Sequence, residues 1–116
     1  MTDIIIYHNP RCSKSRKTLE LIISQGHDPE IVKYLETPPS VNELTKIVSL
    51  LGVVPRDVMR KTELEYKDNA MGNPSLSPMQ LIALMHKHPK VIERPIVVFN
   101  EKAVIGRPPE NVLAIL

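Results

Sequence analysis

Tryptophan is absent, and Tyr7, Tyr34, Tyr66 and Phe99 are the only aromatic residues among 116. So sparse a set leaves little from which to build the stacked platform that single-stranded nucleic acid needs. Cysteine occurs once, at Cys12, so no intramolecular disulfide can form and the chain is compatible with the reducing cytosol. That residue and the scattered His8, His27, His86 and His88 offer no zinc-ligand spacing. No apolar run approaches the ~20 residues of a membrane span, and no signal-peptide pattern opens the chain. Nor is one sign of charge in excess. Fifteen Lys and Arg against thirteen Asp and Glu leave a formal net charge of +2, too small to imply nucleic acid or a membrane surface. The expectation is a cytoplasmic monomer with no bound metal and no nucleic-acid or membrane partner, in which any positive field is local.

What is present suffices for one folded domain, since 42% of the residues are hydrophobic. Ile4 to Tyr7 is a short apolar run stopped by Asn9-Pro10, the pattern of a buried strand. From Ser13 the period becomes helical, with Leu19, Ile22 and Ile23 on one stripe and Gly26 as a stop. Ile31 to Leu35 reads as a second strand before Thr37-Pro38-Pro39. Ser40 and Glu43 form a capping box ahead of Leu44, Ile47, Val48 and Leu51, and Gly52 closes that helix. Pro55 opens a short helical segment, and residues 61–74 read as loop or short turns. Ser77-Pro78-Met79-Gln80 repeats the capping signal before Leu81, Ile82, Leu84 and Met85. Ile96–Phe99 and Ala103–Ile105, separated by a short turn at Asn100-Glu101, predict a hairpin, and Pro108-Pro109-Glu110 introduces a last helix. This order predicts an α/β layer fold with a central sheet.

The lone cysteine stands in Asn9-Pro10-Arg11-Cys12-Ser13-Lys14-Ser15-Arg16, where so many cations argue against burial among apolar neighbours. If the helix begins at Cys12, its first amides and its dipole favour a thiolate there. Ser15, one turn further on, is placed to donate its hydroxyl or amide to the sulfur, and His8 to add a contact when protonated. CxxS rather than CxxC means that an oxidised sulfur must be passed to a thiol brought from elsewhere. A cysteine-phosphatase loop is excluded, because the position six residues after Cys12, where such a loop needs arginine, holds Thr18. Far along the chain, Arg94-Pro95 enters the hairpin and Arg107-Pro108 leaves it. Antiparallel pairing would bring both arginines to one end of the sheet, where two planar forks suit an oxyanion.

YHNPRCSKSR, YLETPPS, ERPIVV and IGRPPENVLAIL together resemble the glutathione- and glutaredoxin-linked ArsC family of arsenate reductases, over essentially the whole chain. The resemblance implies a glutaredoxin/thioredoxin-like mixed sheet in a single domain spanning residues 1–116, with a helical insertion over about residues 40–90. It implies Cys12 as nucleophile, His8 and Ser15 as supports of its thiolate, Arg60, Arg94 and Arg107 around the oxyanion, and Pro95 as a structural cis-proline. It also implies arsenate or a similar oxyanion as substrate, glutathione as co-substrate rather than bound cofactor, and glutaredoxin as partner. Arg11 and Lys14 depart from it, standing where well-known arsenate reductases have small or uncharged residues. Two other readings use the same loop: a general glutathione-linked thiol oxidoreductase, and a non-enzymatic thioredoxin-like transcriptional adaptor, for which Ser15 withholds the second cysteine of a CxxC switch.

Overall fold

The computed structural model describes residues 4–116, which fall into two compact units. The first unit runs to Thr37 and resumes at Arg94–Leu116; the second is Pro38–Glu93.

The first unit carries β1 (Ile4–His8), α1 (Ser13–Ser24), β2 (Glu30–Lys33), β3 (Ile96–Phe99) and β4 (Lys102–Ile105), with a closing 3₁₀ segment at Pro109–Ala114. The strands form one sheet in the order β2-β1-β3-β4. β1 and β2 are parallel, a pairing that requires a crossover, and α1 supplies it. β3 lies antiparallel to both β1 and β4. Because side chains alternate along a strand, Ile4 and Ile6 of β1 share a face with Val97 and Phe99 of β3 and Val104 of β4. Ile22 of α1 and Val112 of the 3₁₀ segment close over that face with Ile4, Ile6 and Val97, all essentially buried. Each such aliphatic side chain contributes roughly 1.5–3 kcal/mol by leaving water.

The hairpin turns on Asn100 (φ 50°) and Glu101 (φ 60°), both left-handed, as a two-residue turn with the twist of type I′ requires. β2 ends at Lys33 rather than Leu35, since the Lys33 carbonyl accepts from the amides of both Glu36 and Thr37 and curls the chain into a turn. The closing segment, expected as a helix, is a 3₁₀ run. Its amides bond three residues back, as Asn111 N–H does to the Pro108 carbonyl at 3.0 Å, and six residues are too few to propagate an α-helix.

The second unit contains α2 (Val41–Leu51), α3 (Leu64–Asp68) and α4 (Pro78–Lys87), with 3₁₀ turns at Pro55–Val58 and Pro89–Val91. Both capping boxes form: Glu43 N–H donates to Ser40 Oγ at 3.1 Å, and Gln80 N–H to Ser77 Oγ at 3.2 Å. Gly52 ends α2 at φ +69°, a conformation that costs a residue with a side chain. α2 packs on α4, and Leu44, Ile47, Leu81, Ile82 and Met85 are buried in this unit. No described helix is long and apolar enough to cross a membrane. The architecture is mixed α/β, a four-stranded mixed sheet interleaved with helices, of the glutaredoxin/thioredoxin-like kind.

Candidate active site

Cys12 sits where β1 hands over to α1. The Cys12 amide donates to the Asn9 carbonyl at 3.0 Å and Arg11 N–H to Asn9 Oδ1 at 3.0 Å, so the intervening turn is closed twice. Cys12 itself is the N-cap, in extended conformation at φ −94° and ψ 122°. Its half-buried sulfur faces the amides of Lys14 and Ser15, which have no partner within the helix.

Burial by itself pushes the Cys12 thiol up. The Ser15 amide, a hydrogen bond from Arg94, the Lys14 amide and the Arg94 charge outweigh it and hold the sulfur below the ordinary thiol value. Arg94 reciprocates: burial works against its charge, but the contacts with Cys12 and with buried Tyr34 raise its pKa. Arg107 points Nη1 at the sulfur from 4.0 Å, the outer limit for a hydrogen bond to sulfur, and the same nitrogen donates to the Arg94 carbonyl at 3.3 Å. The two arginines therefore converge on one sulfur as partners of each other.

Beneath the loop lies a buried polar group. His8 Nδ1 and Ser15 Oγ are 2.6 Å apart, and the Asn9 amide donates to the same hydroxyl at 3.1 Å. Ser15 has no exposed surface, and His8 is 6% exposed, so neither can exchange these partners for water. Burial, then the charges of Lys33 and Arg16, push the His8 pKa down and keep the ring neutral near pH 7. His8 therefore meets Ser15 and the Asn9–Ser15 turn rather than presenting a positive charge to the sulfur.

Pro95 and Arg107 are joined by Gly106. The Gly106 amide donates to the Pro95 carbonyl at 2.9 Å, and a Cβ placed on Gly106 would stand 2.5 Å from Thr18 Oγ1 and 2.9 Å from Pro95 Cγ. Thr18 is fully buried, donating to the Lys14 carbonyl at 2.8 Å with the Gly106 carbonyl at 3.4 Å. Both Arg94–Pro95 and Arg107–Pro108 are cis peptides.

Of the residues singled out from the sequence, Cys12, His8, Ser15, Arg94, Pro95 and Arg107 meet in the first unit. Arg60 belongs to the second, where its Nε donates to Glu63 Oε1 at 3.3 Å and its amide to the Val91 carbonyl at 2.6 Å. Thr18, Tyr34 and Gly106 were not expected at the site. In the sequence Thr18 serves only to exclude a phosphatase loop, and no local pattern announces a contact across 88 positions. Among the described residues no group of His, Cys, Asp and Glu could hold a metal ion.

The side chains of Arg11, Lys14 and Arg16 are exposed, and their charges are not among the influences that lower the sulfur's pKa. A direct consequence can be measured by following the alkylation of Cys12 with iodoacetamide against pH. The midpoint should lie below that of an ordinary thiol; Arg94→Met should move it up, and Arg11→Gln should leave it in place. An Arg11→Gln midpoint displaced as far as that of Arg94→Met would refute this account of the thiolate.

The ArsC family model matches residues 7–115. A solved arsenate reductase from Vibrio cholerae superposes with a TM-score of 0.95 at 54% identity, covering 97% of each chain. Arsenate reductase of Neisseria meningitidis serogroup A is 46% identical over 117 residues, covering 100% of both chains. An uncharacterized protein of Escherichia coli K12, YfgD, is 52% identical over 112 residues, covering 96% of this chain and 94% of its own.

Proposed function

The chain belongs to the ArsC family, and on that footing we propose that it reduces arsenate to arsenite, with Cys12 as nucleophile and glutathione and glutaredoxin as the external thiols. Its chemistry is redox chemistry of the arsenate-reductase type. The observation that carries the proposal is the Cys12 sulfur, held low in pKa at the start of α1 with Arg94 and Arg107 converging on it.

In the first step the Cys12 thiolate attacks the arsenic of arsenate; an S–As bond forms and an As–O bond breaks as one oxygen leaves as water, carrying one proton already on the oxyanion and one taken from solvent. Charge on the remaining oxygens is met by the forks of Arg94 and Arg107, which need not move to meet it. A glutathione thiol then attacks the Cys12 sulfur. An S–S bond forms, the S–As bond breaks with its electron pair staying on arsenic, and trivalent arsenite departs. Two electrons have passed from two sulfurs to one arsenic. A further thiol, from glutaredoxin, removes glutathione from Cys12 as a disulfide and restores the thiolate. With no second cysteine in the chain, that last step needs an external partner.

Steady-state arsenate reduction by the purified protein with glutathione and glutaredoxin tests the proposal. Turnover is expected, and alanine at Arg94 or Arg107 should raise KM for arsenate by about tenfold or more. The assignment of Arg60 to the same anion rests on the family resemblance, and Arg60→Ala in the same assay checks it. A protein that reduced small disulfides but never arsenate would instead be a general thiol oxidoreductase.

A further inference from the structure

The cations nearest Cys12 in sequence do little for the sulfur, and their placement suggests an outward role. Arg11 and Lys14 lie within two residues of Cys12 on either side, and both are exposed. Lys33 is exposed too, at the end of β2 where the register sets it opposite His8, and its charge is felt at the His8 ring. Among the described residues none of these side chains takes part in an ion pair. Arg16 is different, because its Nη1 donates to the Pro10 carbonyl at 2.8 Å and so braces the loop. The acidic neighbours on this strand, Glu30 at its start and Glu36 in the following turn, do not pair with Lys33.

We infer that Arg11, Lys14 and Lys33 form a cationic collar at the mouth of the Cys12 loop that receives the carboxylates of an incoming peptide thiol. The inference rests on the reading that an external thiol completes the catalytic cycle. Arsenate is a compact anion, best held by the half-buried forks of Arg94 and Arg107, the second of which is braced on the Arg94 carbonyl. Glutathione is extended and carries carboxylates at both ends, with its thiol between them. Flexible exposed cations on both flanks of the target sulfur match such a ligand. They steer it and hold its ends without fixing a single geometry, which leaves the thiol free to approach the Cys12 sulfur in line with the bond it breaks. The collar thus discriminates among thiols by charge, favouring anionic peptide thiols over neutral ones.

The test needs no arsenate. Cys12 thiolate attacks oxidised glutathione, forming the Cys12–glutathione mixed disulfide and releasing one glutathione thiolate; bis(2-hydroxyethyl) disulfide undergoes the same exchange without carboxylates. The rates of both reactions are compared for the unaltered protein and for Arg11→Gln/Lys14→Gln/Lys33→Gln, at low and at high ionic strength. The triple variant should react about tenfold more slowly with oxidised glutathione at low salt, lose most of the salt dependence, and keep its rate with the neutral disulfide within about twofold. Unchanged glutathione exchange, or equal slowing with both disulfides, would overturn the collar. If the triple variant does not fold, Arg11→Gln/Lys14→Gln, confined to the exposed loop, carries the same comparison. Failure of the unaltered protein to reduce arsenate would sink the proposed activity and leave this selectivity standing. Loss of the selectivity with arsenate turnover intact would do the reverse.

Discussion

Replacing Cys12 with serine is expected to abolish glutathione-dependent arsenate reduction, lowering turnover by at least ~10³-fold, the scale of loss when a covalent nucleophile is removed. A serine hydroxyl fills nearly the same space at the start of α1, and the amides of Lys14 and Ser15 and the Arg94 guanidinium still face it. What disappears is the anion. Those donors lower the thiol's pKa and so favour its anion, whereas an aliphatic hydroxyl starts far above the thiol range. Arsenate should still bind to Cys12→Ser, because Arg94 and Arg107 remain, and calorimetry on the inactive variant can check this. Retention of a substantial reduction rate would exclude Cys12 as nucleophile. The substitution also alters the pH dependence of stability. The folded thiol has a lower pKa than the unfolded one, so its contribution is complete above the unfolded value and is lost as pH falls through the folded value. Relative to the original chain, Cys12→Ser should lack that loss when denaturant midpoints are measured from above the ordinary thiol value downward through neutral pH.

Local signals in the sequence placed most of this thiol's surroundings. The change from strand to helical period around Pro10 puts Cys12 at a helix start, and one turn of helix brings Ser15 back under the loop. A hairpin returns to the edge from which it began, so the pair Arg94 and Arg107 could be assigned to one end of the sheet. Capping boxes at Ser40 and Ser77 were legible for the same reason: donor and acceptor lie three residues apart. The meaning of the charge around the cysteine was not legible. Arg11 and Lys14 crowd the cysteine in the sequence, yet their side chains are exposed, and the charge that acts on the sulfur is that of distant Arg94. The helix start announced the amides, but the direction of a long side chain has no letter in a sequence. The final segment misled for another reason. Val112, Leu113 and Leu116 carry a helical spacing, but a run this short, anchored by Asn111 Nδ2 on the carbonyls of Ile105 and Arg107, settles as 3₁₀.

Gly106→Ala should be the most damaging single methyl added to the first unit. The new Cβ would meet Thr18 Oγ1 at 2.5 Å and Pro95 Cγ at 2.9 Å, separations that real Cβ atoms do not tolerate, and Thr18 Cγ2 at a tight 3.0 Å. Neither neighbour is the free end of a flexible chain: Pro95 is a ring, and Thr18 is β-branched and fully buried on α1. The backbone must therefore give, at a cost of about 2–3 kcal/mol and a fall in Tm on the order of 10 °C. The strain falls on the junction that sets the site. Gly106 N–H is bonded to the Pro95 carbonyl, Arg107 follows directly, and Thr18 fixes the carbonyl of Lys14, two residues beyond Cys12. A shift of even half an ångström there would loosen Arg107 from the sulfur and from the Arg94 carbonyl together. Arsenate KM should then rise in protein that is still folded below its lowered Tm. Thr18→Ala removes two of the three close atoms at the cost of the buried hydroxyl's bonds. Gly106→Ala/Thr18→Ala should accordingly be less destabilised than the sum of the single variants, by about 1 kcal/mol in a double-mutant cycle. Strict additivity in denaturant unfolding would show that helix and hairpin do not press on each other at this point, and the account of how Arg107 is aimed would fall with it.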